Sequence, residues 1–555
     1  MNAPSVYAPP PFPAPISLDL SRNEGRPPRG MPEASTIDAC DLSRYPSGDE
    51  LRAALAARHG VGVERVLVSN GGDDVLLRCC LWTLRGGGSA LLPVPTFEMI
   101  ERYVAIAGGV AVAVPWPEGP FPTDAALASA GPDLRVVFVV SPNNPTGASA
   151  TAADLERLVR ALPGVTIVLD AAYAEFADVD LTDFALRHEQ IVVVRTLSKA
   201  WGLAGLRVGY ALGDPRAIAA LRAHGNPMPV ADVAARLAVL RLRSGAADVA
   251  DHVAVVRAER AALLTELPLH GARPSLPSEG NFVLVRGVDA DFVVAAAATA
   301  GIGLRRFPGR AGLADAVRIG LPGDPAGFAR LRAALRAALA PAALLFDLDG
   351  VLVDVSASYR HAIVATARAF GAAVTPADVA AAKARGNAND DWALTHRLIT
   401  ATGVRCALGE VVERFEACYR ERRDGEQALA PAALLRAWGR RRPLAVVTGR
   451  PATDAAYVLE RLGLADCFQA VVCREDAPLK PDPAPVRLAL RRLGVDAAWM
   501  LGDTVDDVAA ARAAGVVPIG VVAPGEDPAR ARATLGGAGA ARVLSATTEL
   551  GGMLR

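Results

Sequence analysis

The stretch Arg195-Thr196-Leu197-Ser198-Lys199-Ala200-Trp201-Gly202-Leu203-Ala204-Gly205-Leu206-Arg207-Val208-Gly209 decides how the first part of the chain is read. It opens at the end of the β-branched run Ile191–Arg195, which predicts a strand. A lysine just past a strand end, among small residues, can form a Schiff base with an aldehyde cofactor. Ser198 and Arg207 could hold a phosphate. The chain has only three lysines, Lys199, Lys383 and Lys480; the other 56 of its 59 basic residues are arginines. Arginine evidently serves wherever charge suffices, so a lysine marks a place where a guanidinium cannot do the chemistry.

Three stretches upstream belong with this one. Asp170-Ala171-Ala172-Tyr173 ends the strand expected over Thr166–Asp170, and an aspartate there can keep a pyridine nitrogen protonated. Ser141-Pro142-Asn143-Asn144-Pro145-Thr146-Gly147 follows the strand expected over Val136–Val140 and reads as a rigid turn presenting an amide. Asn70-Gly71-Gly72-Asp73-Asp74 precedes a helical run, where backbone N–H groups would cradle a phosphate. Helices are expected over Thr151–Leu162, Ala231–Ser244 and Pro325–Leu339, and this alternation implies a mostly parallel α/β sheet.

In this order and spacing the chain resembles the fold-type I pyridoxal phosphate aminotransferases, most closely the histidinol-phosphate aminotransferase family, over about residues 17–335. Asn23-Glu24, Tyr45-Pro46, Pro95-Thr96-Phe97, Asn281-Phe282 and Val317-Arg318-Ile319 add to the resemblance. It implies a large and a small domain, with Lys199 as Schiff-base lysine and proton shuttle. It implies that Asp170 pairs with the pyridine nitrogen, that Asn144 and Tyr173 bond the phenolic oxygen and that Phe97 stacks on the ring. Gly72, Asp73, Ser198 and Arg207 would bind the cofactor phosphate. Tyr45 would reach the phosphate of a neighbouring subunit, which implies a homodimer. Arg305 and Arg318 would clamp the anionic end of the substrate. The chain departs from the family at Ala171, where an acidic residue is usual, at Phe97, where tyrosine is usual, and before Asn23, where the early aromatic segment is missing.

A second α/β unit is expected from a boundary near 340, starting with the strand Ala342–Phe346. Asp347 and Asp349 follow it, two carboxylates spaced by two, expected to point to one side as nucleophile and general acid/base. Val446-Val447-Thr448 is a second strand ending in a hydroxyl, Lys480-Pro481 supplies an ammonium, and Met500–Asp503 leads into the acidic cluster Asp503, Asp506, Asp507, suited to Mg²⁺. The ordered set resembles the haloacid dehalogenase (HAD) superfamily over about 341–550, a Rossmann-like fold with a small helical cap at about 355–430. The resemblance implies that Asp347 forms an aspartyl-phosphate and Asp349 protonates the leaving oxygen. Thr448 and Lys480 would hold the phosphoryl group. Asp347, Asp503 and Asp507, with the main-chain carbonyl of Asp349, would bind the metal. Asp506 is expected to be only a neighbour. The stretch Lys383–Trp392, with Lys383 and Asn387, is read either as the cap's substrate-specificity loop or as a solvated turn.

Composition bounds the function. Fifty-nine basic and 59 acidic residues give a net charge of +0, which argues against coating nucleic acid or an anionic membrane, and no apolar run reaches the length of a membrane span. Residues 1–16 read as a proline-rich flexible arm, without the pattern of a signal peptide and too short for a DNA-binding module, which disfavours a ligand-sensing regulator. Seven scattered cysteines fit a reduced, cytoplasmic setting. The expected activity is transamination of imidazole acetol phosphate with glutamate, yielding histidinol phosphate and 2-oxoglutarate, followed by hydrolysis of the phosphate ester, in histidine biosynthesis. The alternative is an aminotransferase or decarboxylase acting on another phosphorylated amino compound, with a phosphatase or phosphomutase behind it.

Overall fold

Hydrophobic runs with both faces covered set the middle of the first sheet, as expected of parallel strands. Its strands are β1 (Val66–Asn70), β2 (Ser89–Val94), β3 (Val110–Pro115), β4 (Leu134–Val140), β5 (Thr166–Asp170), β6 (Ile191–Thr196) and β7 (Val208–Leu212). They lie in the order β1-β7-β6-β5-β4-β2-β3, parallel except for β7, which runs against both of its neighbours. In β4, Val136, Val137, Phe138 and Val139 are almost fully buried. A smaller antiparallel sheet follows, from β8 (Arg273–Pro274), β9 (Phe282–Arg286), β10 (Arg305–Arg306) and β11 (Val317–Gly320), in the order β10-β11-β9-β8.

The computed structural model describes residues 9–31, 43–386 and 388–554. Packing divides them into two units: Asp19–Ala290 with Leu304–Arg330, and Leu331–Arg555 with Asp291–Gly303 and Pro11–Leu18. The second is built on a wholly parallel sheet of β12 (Ala343–Phe346), β13 (Leu444–Val447), β14 (Ala470–Val472), β15 (Ala498–Gly502), β16 (Val517–Val521) and β17 (Arg542–Leu544), ordered β14-β13-β12-β15-β16-β17. Every residue of β12 and β15 is buried. The cap consists of four helices, α2 (Tyr359–Ala369), α3 (Pro376–Arg385), α4 (Asp391–Ala401) and α5 (Leu408–Arg420); α1 is Gly71–Leu84 in the first unit, and α6 is Val505–Ala513, after β15. Helix α3 starts on a capping box, with Thr375 and Asp378 bonding each other's backbone, and α4 on Asp390, which accepts from two backbone N–H groups. No helix among the described residues is long and apolar enough to cross a membrane.

Candidate active sites

In both sheets the chemistry-bearing residues sit where buried parallel strands end, as is usual for α/β folds. In the first unit the ends of β4, β5 and β6 and the start of α1 surround a cavity of about 550 Å³. Gly72, Asp73, Phe97, Asn144, Asp170, Tyr173, Ser198, Lys199, Arg207, Arg305 and Arg318 all line it. Tyr45 does not, and it is 88 % exposed.

Asp170 is the last residue of β5 and 5 % exposed. Its carboxylate accepts the Ala172 N–H at 3.1 Å. Burial pushes its carboxyl up to about 7, against that hydrogen bond and the nearby Lys199. Such a group fits a cationic ring nitrogen. Lys199 follows β6 by three residues; its Nζ donates to the Arg22 carbonyl at 3.2 Å and stands 5.6 Å from the centre of the Tyr173 ring. The Asn23 amide donates to the Tyr173 hydroxyl at 3.2 Å, and Arg318 donates to the Asn144 Oδ1 at 2.6 Å and to the Ser21 carbonyl. Arg305 is held by Glu98 at 2.7 Å and Arg310 by Glu101 at 3.0 Å, so the cavity has a guanidinium-rich wall with its own counter-charges.

Another part of the lining is rich in donors. Helix α1 begins at Gly71–Gly72, Arg207 donates to Asp73 at 3.1 Å, and the Ser198 hydroxyl lies 2.9 Å from that of Thr196. This part of the lining holds together because Gly209 lacks a side chain: a Cβ there would lie 2.3 Å from the Gly71 carbonyl carbon. Sequence reasoning did not single out Arg310 or Arg22 as site residues, since among 56 arginines one more carries no signal, nor Glu98, whose partner Arg305 lies 207 residues away.

In the second unit a cavity of about 30 Å³ is lined by Asp347, Asp349, Lys383, Asp391, Trp392, Arg450 and Asp503, among others. Asp347 extends the sheet by one bond, its N–H donating to the Leu501 carbonyl at 2.8 Å. The chain then turns at Gly350, with φ +76°, where a Cβ would lie 2.3 Å from an Asp503 carboxylate oxygen. Oxygens of Asp347, Asp503 and Asp507 lie within 4.8 Å of one another. Lys480 donates to Asp347 at 2.8 Å and to the Val447 carbonyl at 2.9 Å, and pairs with Asp507 at 2.5 Å. Burial opposes its charge, but the two carboxylates hold its ammonium above the usual lysine range. Burial, aided by the crowding of carboxylates, pushes Asp347 and Asp503 up. A divalent cation is the natural relief for that crowding.

Asp347 and Asp349 both line this cavity, as expected, but not as neighbours on one extended strand. The strand ends at Phe346, and Asp349 lies in the turn beyond it. Its carboxylate is taken by Arg450, at 2.7 Å from Nε and 2.6 Å from an Nη. Arg450 is itself buried and donates to Glu426 at 3.0 and 3.2 Å and to the Tyr419 hydroxyl at 3.0 Å. This network joins residues too far apart in sequence to form a pattern. Thr448 is buried, and its hydroxyl accepts the Arg450 N–H at 3.1 Å. Asp506 is more than a neighbour: it accepts the Ala388 N–H of the cap loop at 2.8 Å. Lys383 lines the cavity and pairs with Asp391 at 3.0 Å, so that part of the Lys383–Trp392 stretch faces the site; Asn387 lies outside the described residues.

Comparison with known proteins agrees with this arrangement. The family model for aminotransferase class I and II matches residues 18–332, and that for haloacid dehalogenase-like hydrolases matches 341–515. A histidinol-phosphate aminotransferase of Paracoccus denitrificans is 33 % identical over 326 residues, covering 57 % of this chain and 87 % of that protein. An imidazoleglycerol-phosphate dehydratase of Phytophthora nicotianae is 48 % identical over 196 residues, 33 % of this chain; the chain spans less than half of that protein, 43 % of its length. Among solved structures, the histidinol-phosphate aminotransferase of Sinorhizobium meliloti in complex with pyridoxal-5'-phosphate superposes with a TM-score of 0.53 at 26 % identity, covering 59 % of this chain and 91 % of that one. The chain therefore belongs to the class I and II aminotransferase family, and behind that part it carries a haloacid dehalogenase-like hydrolase domain.

Proposed function

We propose that this protein is a bifunctional enzyme of histidine biosynthesis, exchanging the amino group between glutamate and imidazole acetol phosphate and hydrolysing the resulting histidinol phosphate. The observation that carries the proposal is the pairing, in one chain, of an aminotransferase cavity walled by arginines with a carboxylate cluster suited to phosphate esters. The relatives' names add to it. Loss of water from a glycerol phosphate gives an enol whose ketone form is an acetol phosphate, the acceptor that the first site would aminate.

Pyridoxal phosphate fits the first cavity by the chemistry of its donors: a buried acid for a ring nitrogen, an amide and a phenol for an oxygen, and a helix start with Ser198 and Arg207 for a phosphate. When bound it supplies an electron sink for the pair left at the substrate's α-carbon. Asp170 then holds the nitrogen's proton, Asn144 and Tyr173 orient the phenolic oxygen, and Phe97 covers the ring. Lys199 Nζ would take the proton from the substrate α-carbon and return it beyond the nitrogen being transferred. Arg305 and Arg318 receive the anionic end of each substrate, carboxylate or phosphate. Tyr45 reaches the site of a second copy, making the working unit a homodimer.

In the second site Asp347, Asp503, Asp507 and the main-chain carbonyl of Asp349 would hold Mg²⁺, which neutralises phosphoryl charge. An oxygen of Asp347 attacks phosphorus, the P–O bond to the leaving group breaks, and Asp349 supplies the proton to that oxygen. Water then cleaves the aspartyl-phosphate, with Asp349 accepting its proton. Lys480 and Thr448 steady the phosphoryl oxygens. The small intermediates of such an enzyme, and the six free cysteines among the described residues, suit a cytoplasmic setting. Phosphorus NMR of the purified chain with histidinol phosphate, Mg²⁺ and 2-oxoglutarate tests the proposal. Signals for inorganic phosphate and for the keto phosphate are expected. The absence of both would remove histidine biosynthesis as the setting and direct attention to other phosphorylated amino compounds.

A further inference from the structure

The chain's three lysines all lie at the two sites. Lys199 and Lys480 have roles in the chemistry proposed above; Lys383 does not. It sits on α3 of the cap, its Nζ 3.0 Å from Asp391 Oδ1, with the two side chains only 18 % and 13 % exposed. Both line the cavity that contains Asp347 and Asp503. In an arginine-rich chain, a lysine here points to an ammonium that must move: it is a compact charge on a flexible stem, whereas a guanidinium is a rigid fork.

The walls around this pair are fixed. The Trp392 indole N–H donates to Glu416 at 2.9 Å, the Arg474 guanidinium lies 4.0 Å from the centre of the Trp392 ring, and Arg474 is tied to Asp390 at 2.9 Å. The loop leading into α4 is fastened to α6 through Ala388 and Asp506. The adaptable element is the Lys383–Asp391 pair.

We infer that Asp391 is a specificity residue that binds an ammonium group on the leaving alcohol, and that Lys383 holds its place until substrate arrives. An entering phosphate dianion draws the Lys383 ammonium toward its oxygens. Asp391 would then be a buried carboxylate without a partner, which is strongly unfavourable. A substrate amine near the ester oxygen restores the pairing, whereas a neutral or anionic leaving group leaves it broken. The site thus selects phosphorylated amino compounds over other phosphate monoesters. The inference rests on the phosphatase reading but reaches the substrate class from cap residues alone, independently of the aminotransferase part.

The test is phosphate release by the full chain with Mg²⁺ from histidinol phosphate, from its des-amino analogue and from an aryl phosphate. Wild type should favour the amine over the des-amino ester by about tenfold or more in kcat/KM. Asp391→Asn should bring that ratio close to one, and Asp391→Glu should restore part of it. Lys383→Met should change the KM of both alkyl esters while keeping a preference for the amine. A ratio near one in wild type, or a ratio unchanged by Asp391→Asn, overturns the inference while aryl phosphate hydrolysis leaves the phosphatase reading standing. No release from any of the three esters overturns that reading as well. Should Asp391→Asn fail to fold, the wild-type ratio and Lys383→Met decide.

Discussion

Asp170 is a carboxyl group buried opposite an open cavity, and its protonation ties cofactor to stability. Without cofactor, the native protein holds a proton on Asp170 up to about pH 7, whereas the unfolded chain releases it near its ordinary value of 3.8. The native state therefore gains stability from this group in acid and loses it as pH rises through about 7, by on the order of 4 kcal/mol in all. Urea unfolding of the cofactor-free protein at pH 5 and pH 8 should show a larger loss for wild type than for Asp170→Asn. An equal loss in both would show that Asp170 is not the titrating group. With cofactor bound, a pyridinium opposite the carboxylate removes the penalty, so the difference between pH 5 and pH 8 should shrink.

Strand β7 approaches the start of α1 only because Gly209 offers no Cβ. Gly209→Ala should therefore separate strand from helix at a cost of roughly 1–3 kcal/mol, as overpacking does. Cofactor titration should show weaker binding along with the lower unfolding midpoint. In the cap, Asp506→Ala leaves the Ala388 N–H without its acceptor, worth about 1–3 kcal/mol locally. Hydrogen exchange should accelerate over 386–391 more than over α6 if that bond fastens the loop. These elements also show how far sequence reasoning reaches. Strands β4, β5, β6 and β12 were legible because they are buried on both faces and read as unbroken apolar runs, and the residues at their ends could be assigned a chemistry one by one. The Arg450–Glu426–Asp349 network and the Glu98–Arg305 pair were not legible. Each joins distant segments through arginine, the residue this chain uses everywhere. The two-residue strands β8 and β10 carry too few side chains to show an alternation. The turn that carries Asp349 depends on Gly350 and on its partner Arg450 in the loop after β13, neither of which a strand periodicity reports.

At the scale of the whole molecule, two chemistries share one chain without sharing a residue among those assigned. Lys199→Ala should abolish amino transfer while phosphate release from histidinol phosphate continues, and Asp347→Asn should do the reverse, as the same NMR time course would show. Coupled loss of both activities in either variant would mean that the sites depend on each other. Tyr45 is a large aromatic side chain, 88 % exposed among the described residues, that the proposed homodimer would cover. Sedimentation should give twice the 57.5 kDa chain mass, and a mixture of Lys199→Ala and Tyr45→Ala chains should regain some transamination in heterodimers. The placement of the lysines has a practical consequence. Apart from its amino terminus, the protein offers no side-chain amine away from its two sites. Amine-directed reagents, whether succinimidyl esters, aldehyde cross-linkers or acylating metabolites, meet few other amines, and of those Lys480 is buried beyond their reach. Coupling the enzyme to a surface through primary amines would therefore fall on the amino terminus or on Lys199, and surface carboxylates offer the more plentiful anchors, since no described cysteine is fully exposed.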